Sequence, residues 1–376
     1  MKCKIVVGAN YGDEGKGLVT RILSKKAIDS GKSCLNILYN GGCQRGHTVD
    51  YSKDYRHVYH HFGCGTLDGA DTYFDKDFIV NPATFCIEYD ELFLDKVVYI
   101  HPECRVSTPW DMMLNQMIEK NRGKELHGSV GMGIFETRKR YETTTDAKSF
   151  SQLVSMSNDE LYYYCASISK QYLPKKVSEL KISPDIIAEY MQYIIARDTV
   201  MNFIADLRRM QSVCKLAPLH KIVREYDVVV CEGGQGLALD EGNLDNYPYL
   251  TPSTTGSAVM YNRLKTYTTD IETCYVTRTY FTRHGAGPLP TECEKEDINA
   301  EITDLTNVPN EFQKSIRYGK FDVDELIKRI EKDKCTPKFA MYVTHNNYRK
   351  LTEAETDKIK GTIKKLIFVE DKYGKN

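Results

Sequence analysis

Residues 5–17 read IVVGANYGDEGKG, a β-branched run followed by a glycine-rich turn. The run predicts a buried strand, and residues 17–30 after the turn form a helix-like stretch. Glycines in such a turn let backbone N–H groups approach phosphate oxygens, and the N-terminus of the following helix adds partial positive charge. The sequence therefore predicts a strand, a phosphate-binding loop and a helix at the start of an α/β fold.

The same alternation of strand and helix continues along the chain. Further short strands are predicted at 35–39, 97–100, 228–230 and 275–277, and further helices at 183–211 and 322–332. This alternation predicts an α/β fold with a large, mostly parallel central sheet covered by helices. Since no fixed-period repeat or Pro-rich linker divides the sequence, we expect residues 1–376 to form one domain with inserted subdomains, closed by a charged tail at 358–376.

Charge and cysteine usage exclude several classes of protein. The chain has 51 basic and 52 acidic side chains, so it has no general attraction to nucleic acid or to an anionic membrane. No stretch approaches the ~18 apolar residues of a membrane span. The opening MKCK lacks the apolar segment of an export signal. The 12 cysteines include no CxxC pair, which argues against a zinc or thioredoxin-type site and favours reduced thiols in the cytoplasm.

The first loop departs from the common phosphate-loop pattern. GxxxxGK[ST] requires a glycine at position 10 and a hydroxyl at position 17, but the sequence has Asn10 and Gly17. An acid pair, Asp13 and Glu14, lies inside the loop, where a carboxylate makes sense if it binds magnesium or abstracts a proton. For this segment alone, the alternative interpretation is a surface turn whose glycines only cap a helix.

Later segments also have the residues of a nucleotide site. His47 lies beside flexible backbone, where it can donate a proton or stabilise a transferring phosphoryl group. Gln235 follows a predicted strand and should lie at its carboxyl end, where open α/β sheets bind ligands. The hydroxyl-rich segment 247–256 suits a monophosphate, and 282–292 forms a loop after a strand. Taken singly, a structural histidine and a solvated glutamine are the alternative interpretations.

These segments, in this order, closely resemble the adenylosuccinate synthetase family. The family patterns GDEGKG, GGxNAGHT, EGAQG, YPYVTSSNTTAG and TRxGxGPxPTE correspond here to GDEGKG at 12–17, GGCQRGHT at 41–48, EGGQG at 232–236, YPYLTPSTTGSA at 247–258 and TRHGAGPLPTE at 282–292. The resemblance implies the family's P-loop-NTPase-like α/β fold and its reaction, in which L-aspartate is joined to C6 of IMP. A nucleoside triphosphate first phosphorylates O6, and the aspartate amine then displaces phosphate. It also implies Mg²⁺ as cofactor and a homodimer.

The resemblance implies roles for individual residues. Asp13 would take the N1 proton of the purine and would bind magnesium together with the carbonyl of Gly46. His47 would act as an acid on the triphosphate, and Gln235 would hold the purine. The residues implied in triphosphate binding are Gly12, Glu14, Gly15, Lys16, Gly17, Thr48, Arg317, His345 and Asn347. Those implied in binding the acceptor nucleotide are Asp13, Gln44, Ser129, Val130, Arg138, Arg140, Gln235 and Thr255.

Two of these assignments rest on looser matches. Residues 127–134, HGSVGMGI, resemble the family's GTTGRGIGP loop, in which Ser129 would contact the acceptor phosphate. The family also sends an arginine from the partner subunit into the site. In a homodimer of this chain, that arginine would be Arg138 or Arg140.

The sequence departs from the family at two loops. The arginine-rich aspartate loop, TTGRRRRTGWLD, corresponds to residues 310–322, where only Arg317 clearly survives, with Lys314 nearby, as a contact for aspartate. We therefore expect aspartate recognition to be built differently. The guanine-reading TKxD is replaced by THNN at 344–347. Because Asn347 carries both a donor and an acceptor, it suits adenine, so ATP or dATP competes with GTP as the phosphoryl donor.

The acceptor is open between two nucleotides. Gln44 and the short chain resemble the phage-type branch, which makes 2-aminoadenylosuccinate from dGMP and would work in the cytoplasm of the host cell. That branch replaces the loop aspartate by a smaller residue to admit the 2-amino group, whereas Asp13 is retained here and favours IMP. Two other hypotheses are a nucleoside-triphosphatase switch, which needs only the first loop, and a nucleotide-binding relative without ligase activity, suggested by the altered aspartate loop.

Overall fold

The structure, a computed structural model, describes residues 1–93, 96–303 and 315–370. In these ranges the strands are β1 (Lys2–Gly8), β2 (Cys34–Leu38), β3 (His47–Asp50), β4 (Arg56–Tyr59), β5 (Asp71–Phe74), β6 (Ile79–Val80), β7 (Val98–Ile100), β8 (Arg105–Val106), β9 (Cys214–Leu216), β10 (Val228–Gly236), β11 (Ile271–Arg278), β12 (Phe281–Arg283), β13 (Glu292–Cys293), β14 (Arg317–Gly319), β15 (Lys338–Thr344) and β16 (Leu366–Phe368). The helices are α1 (Lys16–Asp29), α2 (Pro82–Leu92), α3 (Pro109–Arg122), α4 (Ile134–Thr143), α5 (Phe150–Ser155), α6 (Asn158–Ser167), α7 (Leu173–Glu179), α8 (Pro184–Ile194), α9 (Arg197–Val213), α10 (Leu219–Ile222), α11 (Ala258–Leu264), α12 (Val323–Asp333) and α13 (Glu353–Thr362).

A sheet of nine strands forms the centre of the described chain, in the order β16-β15-β11-β1-β10-β2-β5-β7-β9. Every neighbouring pair in this sheet is parallel. The predicted α/β fold with a large parallel sheet is confirmed. Because Gly8 of β1 pairs with Gly236 on one side and Val276 on the other, the loops that follow β1, β10 and β11 leave the sheet side by side.

Both faces of β1 are buried, which explains its continuous apolar sequence. Ile5 and Val7 pack into the core on one face, whereas Val6 packs with Val19 of α1 on the other face. All four side chains are fully buried. Since burial of each such side chain contributes about 1.5–3 kcal/mol, the strand that carries the phosphate loop is firmly fixed.

The helix predicted over 183–211 is two helices, α8 and α9. Ala196 at the N-cap of α9 has extended backbone (φ −63°, ψ 131°), and the N–H of Ile195 caps α8 on the carbonyl of Met191 at 3.2 Å. Neither glycine nor proline marks this break, so the sequence offered no signal for it.

The predicted charged tail contributes to the fold. Residues 358–362 complete α13, and β16 pairs with β15 at the edge of the central sheet. Residues 371–376 lie outside the described residues. Across the described ranges, no helix has the length and apolar character needed to cross a bilayer.

Candidate active site

A cavity of about 860 Å³ opens at the carboxyl ends of the central strands. Its wall draws residues from each of the five segments that carry the family resemblance, among them Gly12, Asp13, Gln44, His47, Gln235, Thr251 and Arg283. The predicted nucleotide-site segments therefore meet at one place, although they are spread over most of the chain.

Two glycines and one buried carboxylate shape the phosphate loop. Gly12 (φ 110°) and Gly15 (φ 88°) have backbone angles that side chains rarely permit. The Glu14 carboxylate lies inside the loop, where Oε1 accepts from the N–H groups of Asn10 at 2.8 Å and Gly12 at 3.0 Å. Its Oε2 lies 3.2 Å from Nζ of Lys16. The side chain of Glu14 therefore supports the loop from within and does not line the cavity, and its predicted triphosphate contact stays a prediction.

Asp13 lines the cavity from a left-handed position in the loop (φ 57°). Nε of Arg278 donates to its backbone carbonyl, and Oδ2 of its carboxylate lies 2.8 Å from Nε2 of His284. Burial raises the pKa of Asp13, but the hydrogen bond with His284 and the charge of Arg278 outweigh burial and hold the pKa below its ordinary value. Asp13 is therefore ionised at neutral pH, as a base or a metal ligand must be.

His47, at the start of β3, belongs to a buried network of polar side chains. Its Nδ1 is 2.5 Å from Oε1 of Glu232, which also accepts from Nη1 of Arg45 at 3.0 Å and from Sγ of Cys64 at 2.9 Å. Burial raises the pKa of Glu232, but Arg45 and His47 lower it to about 2. Burial also lowers the pKa of His47, despite the neighbouring Glu232. His47 lines the cavity, and among the described residues its buried Nε2 has no hydrogen-bond partner.

The glutamines predicted to contact the acceptor, Gln44 and Gln235, both line the cavity. In the hydroxyl-rich segment, Thr251 lines the cavity as well. Thr255, by contrast, is fully buried, and its N–H and Oγ1 bond to Oδ2 of Asp240 at 2.6 and 3.2 Å. The hydroxyl of Thr255 thus bonds to a structural carboxylate, and its predicted phosphate contact stays a prediction.

Ser129 and Val130, also predicted to contact the acceptor, line the cavity. The Ser129 hydroxyl donates to Oδ1 of Asn115 at 2.7 Å, and Nδ2 of Asn115 donates to Oε1 of Glu136 at 3.3 Å. Burial raises the pKa of Glu136 to about 7. Below that pH, Glu136 is protonated and adds no negative charge next to the predicted monophosphate site.

The two arginines predicted to reach a partner subunit are engaged within their own chain. Arg140 is 2% exposed, and its Nε and Nη2 bond to the Asp111 carboxylate at 2.9 and 2.8 Å. Its withdrawal would leave a buried carboxylate unpaired, which costs about 3–5 kcal/mol, so the predicted role of Arg140 would require breaking this ion pair. Arg138 pairs with Glu241 and donates to the carbonyl of Pro252 at 2.6 Å, and thus ties α4 to the loop after β10.

Arg317 in β14 does not line the cavity. Its Nε donates to the Glu292 carboxylate at 2.6 Å, and its Nη1 donates to the carbonyls of Gly285 at 3.0 Å and Gly287 at 2.8 Å. The guanidinium of Arg317 thus supports the glycine loop, and its predicted contacts with triphosphate and aspartate stay predictions. The second predicted aspartate contact, Lys314, lies outside the described residues.

The predicted base-binding end of the triphosphate site follows β15. His345 and Asn347 line the cavity, as does Thr48. Nδ1 of His345 lies 2.9 Å from the hydroxyl of Thr344, which donates to the carbonyl of Glu14 at 2.7 Å. Burial lowers the pKa of His345 well below its ordinary value, so the ring is neutral. The segment after β15 is therefore tied directly to the phosphate loop.

Two oxygen groups on the cavity wall suit a magnesium ion, the ionised carboxylate of Asp13 and the carbonyl of the exposed Gly46. Among the described residues, a second group with ligand atoms within 4.8 Å of one another consists of His47, Glu232 and a cysteine. Arg45 already supplies a positive charge 3.0 Å from that glutamate. The mixed nitrogen, sulfur and oxygen donors would also suit zinc better than magnesium. Magnesium therefore fits the first pair.

The family comparison agrees with this arrangement. The family model described as adenylosuccinate synthetase matches residues 5–337. The chain belongs to the adenylosuccinate synthetase family. Relatives include the adenylosuccinate synthetase of Acaryochloris marina, 28% identical over 304 residues that cover 78% of this chain and 63% of the relative. The adenylosuccinate synthetase of Geobacter sp. (strain M21) is 28% identical over 314 residues, which cover 78% and 65%. The chain thus spans slightly less than two thirds of the length of these relatives.

Solved structures show the same fold. The fully ligated adenylosuccinate synthetase of Plasmodium falciparum superposes with a TM-score of 0.72 at 18% identity, covering 93% of this chain and 78% of that one. The succinoaminodeoxyadenylate synthetase of cyanophage S-2L, bound to dGMP and dATP, gives a TM-score of 0.66 at 15% identity and covers 97% and 91%. The adenylosuccinate synthetase fold therefore extends over nearly the whole described chain.

Several cavity residues have no individual role predicted from the sequence, among them Arg278, Thr251, Glu136 and His284. Arg278 ends a predicted strand, so the rule that selected Gln235 would also have found it. His284 stands at a position that the family pattern TRxGxGPxPTE leaves open, which was a usable signal. No sequence signal pointed to Glu136, which lies on a helix rich in charged residues.

Proposed function

We propose that the protein is a nucleoside-triphosphate-dependent ligase that joins L-aspartate to C6 of a 6-oxopurine nucleotide, with IMP as the preferred acceptor. The observation that carries the proposal is that Asp13, His47 and Gln235 line one cavity from three distant segments of the chain. Family membership supports the same reaction, since the matched relatives are named adenylosuccinate synthetases.

In the first step, Asp13 takes the proton from N1 of the purine, and O6 attacks the terminal phosphorus of the triphosphate, from which the nucleoside diphosphate leaves. Lys16 and the N–H groups at the start of α1 hold the phosphate oxygens. Glu232 accepts the hydrogen on Nδ1 of His47, so a protonated ring directs its Nε2–H at the transferring phosphoryl group. The negative charge of the bound triphosphate favours that protonated form.

In the second step, the aspartate amine attacks C6, loses a proton as the C–N bond forms, and displaces phosphate from the 6-phosphoryl nucleotide. Gln235 holds the purine edge through its donor and acceptor groups. Asp13 and the carbonyl of Gly46 would hold magnesium, which would supply positive charge to offset the charge of the phosphates. Asp13, protonated in the first step, returns its proton to solvent.

The second candidate acceptor is dGMP, with ATP or dATP as phosphoryl donor. The specific observation in its favour is the cyanophage enzyme with dGMP and dATP bound, whose fold covers 97% of this chain. Asn347, which lines the cavity where the family has an aspartate, favours an adenine donor over GTP. Retention of Asp13 favours IMP, because a carboxylate leaves less room than a small residue for a 2-amino group.

Aspartate recognition and the homodimer belong to the same proposal. Since Arg317 supports the glycine loop, the L-aspartate carboxylates need another cation of the cavity wall, for which Arg278 is the candidate. A homodimer remains the expected assembly, with Arg138 rather than Arg140 as the arginine near the subunit surface.

The test is a matrix of IMP, GMP and dGMP against ATP, dATP and GTP, each with L-aspartate and Mg²⁺, read by mass spectrometry. We expect a product that contains aspartate joined to the purine, largest for IMP with an adenine donor. Asp13→Asn, which keeps the side-chain size but removes the base, should lower turnover by about a thousandfold.

The other outcomes of the matrix distinguish the remaining hypotheses. Phosphate release that does not require aspartate would indicate a nucleoside-triphosphatase switch. Binding without release or product would indicate an inactive relative. Product from dGMP in excess of product from IMP would replace the first acceptor by the second.

A further inference from the structure

His284 is the side chain that holds the carboxylate of the proposed base. Its Nε2 lies 2.8 Å from Oδ2 of Asp13, and both side chains are about one quarter exposed, at 22% and 24%. An ionised carboxylate can only accept hydrogen bonds, so Nε2 of His284 carries the hydrogen in this contact. The imidazole therefore donates to one defined oxygen of the carboxylate.

Two further cations, Arg278 and Lys16, act on the charge of Asp13, and their hydrogen bonds include contacts with other atoms. Arg278 donates to the backbone carbonyl of Asp13 and to the hydroxyl of Tyr280. Lys16 lies 3.2 Å from Oε2 of Glu14. These contacts fix the loop backbone, whereas the contact with His284 fixes the orientation of the carboxylate itself.

The loop that carries His284 is rigidly anchored. Arg283, which is 1% exposed, donates to the carbonyls of Ala286 at 3.1 Å, Pro288 at 2.8 Å and Tyr249 at 3.0 Å. The carbonyl of His127 accepts from the N–H of Ala286 at 3.2 Å, so this loop is also joined to the loop of Ser129. An imidazole on such a support can hold its partner in one position, which a mobile side chain cannot do.

Close packing of the two loops points to the same conclusion. A Cβ added to Gly128 would lie 2.5 Å from the Cα of Gly285, and a Cβ added to Gly285 would lie 2.6 Å from the carbonyl oxygen of His127. Gly285 also has a left-handed backbone angle (φ 70°). The residue next to His284 therefore has little freedom, and the position of the imidazole follows from the backbone.

We propose that His284 is a positioning residue which, by holding Oδ2 of Asp13, turns the other carboxylate oxygen, Oδ1, toward N1 of the acceptor purine. This inference rests on the proposed function, in which Asp13 is the base. A free carboxylate rotates about its Cβ–Cγ bond and presents either oxygen, whereas proton transfer requires one oxygen within hydrogen-bond distance of the N1 proton. His284 removes that rotation before the acceptor binds.

The test compares His284→Leu with His284→Gln. Leucine fills the space but cannot donate, whereas the glutamine amide nitrogen is separated from Cβ by the same number of atoms as Nε2 of histidine and keeps the donor. Because a misplacement of about 1 Å can cost about a hundredfold in rate, we expect His284→Leu to lower kcat by about thirtyfold. His284→Gln should stay within about threefold of the parent. KM for the triphosphate should change less than about twofold in both variants, since its phosphates contact a different part of the loop.

The remaining outcomes distinguish failure of the positioning role of His284 from failure of the proposed function. Parent activity together with a kcat for His284→Leu within about threefold of the parent would overturn the positioning role and leave the proposed function intact. Equal impairment of the leucine and glutamine variants, with a raised KM for the monophosphate, would also overturn it, because that pattern indicates disturbed packing of the loop. A parent chain that forms no product would overturn both. If His284→Leu is unstable to heat, His284→Ala takes its place under the same criteria.

Discussion

The two halves of the cavity hold their polar side chains in different ways. The half built from strand ends has buried carboxylates, Glu14 and Glu232, which are fully engaged by backbone N–H groups and neighbouring cations. The half built from long loops has side chains that bond across from one loop to another, such as Arg138 to Glu241. The first half is fixed by the sheet, whereas the second is fixed by contacts between segments far apart in sequence.

This difference explains which functional side chains remain available. In the strand-end half, Glu232 holds His47 through Nδ1 and leaves Nε2 without a partner among the described residues. In the loop half, hydroxyls such as that of Ser129 already have partners and must exchange them when a ligand binds. We therefore expect replacement of His47 to change the rate, and replacement of cavity-lining hydroxyls in the loop half to change acceptor affinity.

Of the predictions that test this difference between the two halves, replacement of His47 should have the largest effect. Because an acid in proton transfer contributes about 10²–10⁴-fold, His47→Ala should slow phosphoryl transfer by about a hundredfold or more. A rapid-quench measurement of one turnover, without aspartate, gives this rate directly. His220→Ala removes an exposed histidine outside the cavity and should keep the parent rate. A rate for His47→Ala close to that of the parent would show that the strand-end half does not govern the chemistry.

Much of the strand-end half follows from sequence alone. The apolar run at residues 5–7 is β-branched and too short for a buried helix, so it predicts a buried strand. Parallel strands then bring their carboxyl ends to one edge, which places Asp13 and Gln235 together without further information. The break at Ala196 and the strand Leu366–Phe368 escaped prediction because neither has a glycine or proline signal, and the second lies within a charged segment.

The loop half could not be predicted in the same way. Thr251 and Thr255 lie four positions apart in one hydroxyl-rich segment, and only the position of Asp240 determines which of them is buried. Arg140 and Arg317 likewise resemble ligand-binding cations in sequence, but each has a carboxylate partner supplied by a distant segment. Sequence gives the residue types of such loops, whereas the pairings depend on tertiary structure.

An intermediate effect is expected for Asn347, an exposed residue that follows β15 in the strand-end half of the cavity. Asn347→Asp replaces a donor by an acceptor for the N1–H and 2-amino groups of guanine. Since a hydrogen bond to a charged group contributes about 1.5–3 kcal/mol, the ratio of kcat/KM for GTP over ATP should rise about tenfold. Asn262→Asp adds the same charge at an exposed position outside the cavity and should leave the ratio unchanged. An unaltered ratio in Asn347→Asp would mean that this residue does not contact the base.

The smallest effects are expected for the two threonines of the loop half, Thr251 and Thr255. They test whether the cavity-lining or the buried threonine contacts the acceptor phosphate. Thr251→Val removes a hydroxyl from the cavity wall, so KM for the monophosphate should rise about fivefold, as expected for one net hydrogen bond of about 1 kcal/mol. Thr255→Val removes a donor to the Asp240 carboxylate, so it should lower the free energy of unfolding by about 1 kcal/mol and leave that KM unchanged. Steady-state kinetics and urea denaturation of both variants measure the two quantities independently. If Thr255→Val instead raised KM and kept the stability of the parent, the buried threonine would be the phosphate contact, and the loop would have to rearrange on binding.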